Sequence, residues 1–124
     1  MSNFRVIKNQ QGDVILPKAK WCQSAWCHFK GLQFASPLGE SEGLLFVYGG
    51  ESVANTSIHM FFVFFDIAVV WLDSSGIVVD KKLAKPWRPM YAPAKAAQYF
   101  IEAHPSLLER VEIGDELTFD EVVS

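Results

Sequence analysis

Between Ser57 and Asp73 the chain reads Ser-Ile-His-Met-Phe-Phe-Val-Phe-Phe-Asp-Ile-Ala-Val-Val-Trp-Leu-Asp, its densest concentration of apolar and aromatic side chains. Such a stretch must be removed from water and belongs in the core. Its Phe, Val and Ile content favours strand over helix. His59 and Asp66 interrupt it before it reaches the roughly 18 uninterrupted apolar residues of a membrane span, so it is not a membrane anchor. Polar groups inside such a run need partners or water, which makes His59 and Asp66 the first places to look for chemistry.

At 124 residues the chain has the length of one domain, 1–124, and can bury a core without disulfide or metal staples. Ten Phe and four Trp make that core aromatic. The formal charge of −3 argues against a general nucleic-acid binder. The charge is uneven, however. Lys81, Lys82, Lys85, Arg88 and Lys95 occur without an acid between residues 81 and 95, whereas residues 101–124 hold seven acids against Arg110. A local anion site is consistent with that asymmetry. The N-terminal Met-Ser-Asn-Phe-Arg-Val-Ile-Lys has no apolar signal region, so the expected compartment is the cytoplasm. If the segment holding Cys22 and Cys27 is helical, five residues set them about 140° apart at ~100° per residue. The expectation is two free thiols in a reducing compartment.

Turn chemistry divides the rest. Gln10-Gln-Gly-Asp13 separates short strands at Asn3–Asn9 and Val14–Lys18, which predicts an opening hairpin. Trp26, Phe29 and Leu32 recur at three-residue steps and predict a helix over Trp21–Phe34, weakened by Gly31. Gly43–Tyr48 reads as a strand ended by Gly49-Gly50. The central stretch divides into a short strand at Ile58–Phe61 and a longer one at Ile67–Leu72. Asp73-Ser-Ser-Gly76 should fold the longer strand back on Ile77–Asp80 as an antiparallel hairpin, its first arm covered on both faces. Pro86, Pro89 and Pro93 exclude regular structure and leave a semi-rigid, basic, aromatic loop. Ala97–Ala103 reads as a strand, Pro105–Arg110 as one or two helical turns, and Glu116–Phe119 as a last strand.

In order and spacing, several segments resemble an uncharacterised family of small bacterial and archaeal proteins, domain of unknown function 192. They are Lys30-Gly-Leu-Gln-Phe, Glu42-Gly-Leu-Leu-Phe-Val, Ser57-Ile-His-Met-Phe-Phe, Val69-Val-Trp-Leu-Asp-Ser-Ser-Gly-Ile-Val-Val, and Ala96-Ala-Gln-Tyr-Phe-Ile-Glu followed by Ile113-Gly-Asp. The resemblance spans Lys18 to Thr118. It implies an α+β domain, mainly an antiparallel, barrel-like sheet of about seven or eight short strands with one or two short helices, and brings no established reaction. The family commonly has a Pro-x-Asp step entering the long central strand; here Asp66-Ile67-Ala68 sets the acid two residues away, on the same strand face.

Two functional readings follow. In the first, a non-catalytic cytoplasmic domain binds a small anionic ligand or a protein partner in a cleft beside the Pro86–Pro93 loop. Trp87 and Tyr91 would supply stacking faces there, and Lys85 and Arg88 positive charge; the alternative for this loop is a lid with Trp87 folded onto the sheet. In the second, His59 and Asp66 pair as acid and base, the carboxylate fixing the imidazole tautomer; the alternative for His59 is a hydrogen-bonded structural histidine. Cys22, Cys27, His28 and His104 lack zinc-site spacing, Ser24, Ser36 and Ser57 lack a nucleophile elbow, and no phosphate loop is present, so no metal, cofactor or catalytic residue is assigned. Asp73 and Asp115, each beside a glycine, read as turn-shaping carboxylates.

Overall fold

In a computed structural model describing residues 3–121, seven strands form one mixed sheet. They are β1 (Phe4–Lys8), β2 (Val14–Cys22), β3 (Glu42–Ser52), β4 (Ile67–Leu72), β5 (Val78–Ala84), β6 (Ala97–Ala103) and β7 (Thr118–Glu121), in the order β5-β4-β6-β3-β2-β1-β7. Every pairing is antiparallel except β2 with β3, whose crossover carries helix α1 (Ala25–Lys30). A 3-10 turn spans Pro105–Glu109.

The sheet is open, which corrects the barrel-like expectation. Its edge strands approach only where residues 114–117 meet 76–78, through an isolated Ile77–Glu116 bridge. Beyond that contact β7 follows β1 and β5 follows β4, so no ladder closes the cylinder. The approach is close enough to require glycine at position 76. Its φ is +82°, and a Cβ there would lie 2.6 Å from the Leu117 carbonyl oxygen.

The β4–β5 hairpin has the predicted turn, with Leu72 opposite Val78 and Trp71 opposite Asp80. Asp73 Oδ1 accepts from the Ser75 and Ile77 N–H groups, as a turn-shaping carboxylate should. All six residues of β4 are buried, because β5 and β6 flank the strand and side chains pack on both faces. Asp115 plays the same turn role, accepting from Glu112 N–H.

Several boundaries move for identifiable reasons. Strand β2 passes through Pro17, which lies where the β1 register shifts and one residue before the β3 ladder begins at Lys18–Glu42, so its missing donor breaks no regular pair. Strand β3 likewise continues through Gly49-Gly50 to Ser52 by way of a register shift against β6. The helix is six residues long rather than fourteen: Trp21 and Cys22 belong to β2, Ser24 caps α1 by accepting from Cys27 N–H, and Gly31 at φ +47° ends it. Ile58–Phe61 makes one bridge, Ile58–Tyr91, and no strand.

The thiol expectation fails for the same reason. Cys22 ends a strand and Cys27 lies in the helix, so the turn at Gln23-Ser24 brings their Cα atoms to 5.6 Å and a disulfide joins them. The ~140° separation applied only to a helix containing both residues.

Candidate functional site

Alternation along β3, β4 and β6 sorts side chains onto two faces. Phe46 and Tyr48 from β3, Val69 and Trp71 from β4, and Phe100 and Glu102 from β6 share the second face, partly covered by α1 and by residues 58–66. Phe46 stacks on Phe100 at 4.3 Å, and His28 from α1 lies 4.3 Å from Tyr48. Among these rings a hollow of about 80 Å³ is lined by His28, Gly31, Tyr48, His59 and Glu102.

Glu102 is the unusual member. It sits mid-strand between Leu44 of β3 and Val69 of β4 and is 6% exposed. Burial pushes its carboxyl up to about 8, so the acid is largely protonated at neutral pH. Tyr48 is pushed up to about 12, first by burial and then by the Glu102 charge. The histidines are oriented by the backbone: His28 Nε2 meets the Cys22 carbonyl at 3.0 Å, and His59 Nδ1 accepts from Phe61 N–H at 3.2 Å. Those bonds put the proton of His28 on Nε2 and that of neutral His59 also on Nε2.

His59 and Asp66 face different surroundings. His59 is exposed at the rim of the Glu102 hollow and packs on Phe61, whereas Asp66 takes Lys85 Nζ at 3.0 Å and lines a separate hollow with Pro37, Leu38 and His104.

The Pro86–Pro93 loop joins the other half of the central stretch directly. Met60 N–H bonds the Arg88 carbonyl, Trp87 N–H bonds the Met60 carbonyl, and Ile58 and Tyr91 exchange both backbone bonds. A short ribbon therefore stands where a cleft was expected. Tyr91 is half-buried and its hydroxyl accepts from Lys85 N–H, which gives that residue a structural task. Arg88 is exposed, and among the described residues its guanidinium has no ion pair.

Trp87 belongs to a surface cluster. Its ring meets Phe62 at 5.0 Å and Phe64 at 5.5 Å, both edge-on, and Phe34 stacks on Phe62 at 4.9 Å. These four residues are 45%, 41%, 59% and 71% exposed for Trp87, Phe62, Phe64 and Phe34. Phe34, Phe62 and Trp87 are also the three non-glycine residues at positive φ among those described, at 59°, 62° and 65°. The hollows around Glu102, beside Trp26, beneath Pro37 and beside Arg110 are lined by none of Lys85, Trp87, Arg88 or Tyr91.

Sequence reasoning missed Glu102 and the cluster. A single acid inside the otherwise uncharged Ala97–Ala103 strand was a readable signal for the first. The cluster joins residues 34, 62, 64 and 87 through loops, and no periodicity announces it.

Comparison with known proteins places the chain. The profile of domain of unknown function 192, described as "Uncharacterized ACR", matches residues 6–119. A UPF0127 protein of Thermococcus kodakarensis is 43% identical over 110 residues, covering 89% of this chain and 68% of the relative. Another from Thermococcus sibiricus is 36% identical over 117 residues, covering 93% and 74%. Two solved structures share the fold at low identity. A Sinorhizobium meliloti protein described as a "putative transcription regulator" superimposes with a TM-score of 0.81 at 18% identity, covering 94% of this chain and 92% of the other. A protein of unknown function from Novosphingobium aromaticivorans gives 0.76 at 17%, covering 93% and 83%. The chain belongs to the uncharacterised family domain of unknown function 192.

Proposed function

We propose that residues 1–124 form one non-catalytic binding domain whose Phe34–Phe62–Phe64–Trp87 surface, edged by Arg88, docks a protein segment carrying an apolar anchor beside an acidic residue. The observation that carries this reading is the backbone at Phe34, Phe62 and Trp87. A left-handed conformation costs about 1–2 kcal/mol at a non-glycine residue, and all three such residues among those described lead to one set of solvent-facing rings. Strain of that kind is retained where a ligand surface is held ready. Large exposed apolar patches mark interaction sites, and aromatic residues and arginine dominate binding hot spots.

Of the two occupants expected from the sequence, this surface suits a protein better than a small anionic ligand, because small-molecule sites are concave and the known hollows lie elsewhere. Arg88, without an ion pair among the described residues, supplies the complement to an acid. The acid–base reading gains no such support, since Asp66 is engaged by Lys85. No helix among the described residues is long and apolar enough to cross a membrane. The cytoplasmic location inferred from the N-terminal sequence must accommodate the Cys22–Cys27 bond, which a glutathione-poised compartment tends to reduce; thiol trapping in cells decides it.

Peptide display against the purified chain tests the docking reading. The expected result is a consensus with an aromatic or aliphatic anchor next to Asp or Glu. A synthetic consensus peptide should bind at least about tenfold more weakly to Trp87→Ala. Arg88→Ala should weaken binding less, by an amount that shrinks with added salt. Peptides indifferent to both substitutions would overturn the reading, as would binding to anionic vesicles or self-association abolished by Trp87→Ala in place of peptide binding.

A further inference from the structure

Glu102 poses a separate question: why a carboxyl is kept on the central part of an apolar sheet. It is 6% exposed, and among the described residues its carboxyl has neither a hydrogen bond nor an ion pair. Neither oxygen is sealed into the packing, and Glu102 lines the hollow. A buried polar group left without a partner costs more than an apolar replacement, and its persistence needs a reason.

The surroundings narrow the chemistry. The walls are the rings of Phe46, Tyr48, Phe100 and His28, which present aromatic surface to an occupant. Gly31 leaves the approach to Glu102 clear, since even its missing Cβ would stand 3.7 Å from Oε1. The titratable or charged groups that face the hollow are His28 and Lys30 from α1, Tyr48 from β3 and His59 from the 58–61 segment, with Glu102 the one acid among them. Lys30 is exposed and makes no ion pair with Glu102, so the chain does not use its own nearest ammonium to neutralise the acid. At about 80 Å³ the hollow is small, with room for a few waters or for the end of an alkyl chain.

We propose that this hollow binds a primary alkylammonium group, with the Glu102 carboxylate as counter-ion and the aromatic walls packing around its terminal carbon. The cation neutralises the charge that burial disfavours, and ring faces attract ammonium groups. Because the unoccupied acid holds its proton up to about pH 8, binding near neutrality expels that proton to solvent. Affinity should therefore rise with pH by up to about tenfold per unit below 8 and level off above it while the amine remains charged. This site is independent of the aromatic docking surface, and either can stand without the other.

The probe is methylammonium chloride, titrated into the full chain and followed by amide shifts of Gly31 and Glu102, with sodium chloride and acetamide as controls. Saturable shifts that strengthen from pH 6 to pH 8, with proton release in weak buffer, are the expected result. Glu102→Gln keeps the shape of the protonated acid and should lose at least about tenfold in affinity together with the pH dependence. Glu102→Asp, whose fold can be checked by its melting transition, should retain the pH dependence at reduced affinity. Equal binding in Glu102→Gln, shifts reproduced by sodium chloride, a preference for acetamide or no saturable shift would each overturn the proposal.

Discussion

Along β4, Ala68, Val70 and Leu72 point to one side of the sheet and Ile67, Val69 and Trp71 to the other, and the two sides are made of different material. The first is chiefly aliphatic: Ile7, Leu16, Leu45, Ile101, Leu107, Val111 and Leu117 close over it, with aromatic rings only at its margin. The second is aromatic, contains a buried acid, and is covered by a six-residue helix and a loop ribbon instead of a strand layer. One face concentrates on stability. The other carries groups that cost stability: an unpaired carboxyl and three strained backbones. Costs confined to one face are the physical signature of a working surface.

The largest test of that contrast is Val70→Asp. Val70 is fully buried on the aliphatic face, where an unpaired carboxylate costs several kcal/mol out of a total of about 5–15. No cooperative melt should remain; a soluble variant with a sharp transition would show that this face tolerates what the other one holds.

Glu102 gives the matching test. Its folded acid is raised from 4.5 to about 8, so the folded state holds more protons than the unfolded state between those values. Stability is then full below about pH 4.5, falls as pH rises through the window, and flattens above 8, with a loss on the order of 5 kcal/mol. Glu102→Gln should flatten the difference. Urea melts from pH 5 to pH 9 read it, and parallel profiles for the two proteins would remove Glu102 as the source.

The disulfide sharpens the contrast from the covering side. A helix of six residues has little stability alone, and the Cys22–Cys27 bond ties its middle to the end of β2. Replacing both cysteines with serine should cost about 2 kcal/mol. Hydrogen-exchange protection should drop first at residues 27–31, with β4 and β6 unaffected. Uniform loss across the sheet would mean that α1 is part of the common core.

These unequal faces explain what could be read in advance. Ile67–Leu72, the turn at Asp73 and the strand Ala97–Ala103 were legible because local pattern and tertiary packing agree there. The helix was overextended because Trp26 and Phe29, spaced like a core-facing stripe, are exposed, while the strand and disulfide at Cys22 take the residues before them. The first half of the central stretch is core only in part: Ile58, Met60 and Val63 are buried, but Phe61, Phe62 and Phe64 carry the composition of buried residues and stand at the surface. At the candidate site, Trp87 and Arg88 could be singled out by residue type within a proline-rich loop. Phe34 and Phe62 could not be, because their role depends on backbone conformation and on contacts between distant loops.

Trp87 supplies the smallest effect and the most direct test. At an ordinary position glycine is about 0.5–1 kcal/mol less stable than alanine, but at φ +65° the order should reverse, because only alanine pays for the left-handed backbone. The measurement is the unfolding free energy of Trp87→Gly relative to Trp87→Ala, by chemical denaturation under one set of conditions. The account predicts that the glycine variant is the more stable by about 1 kcal/mol. An alanine variant as stable as the glycine variant, or more so, would mean that no strain is stored under the aromatic surface and would contradict its reading as a prepared docking site.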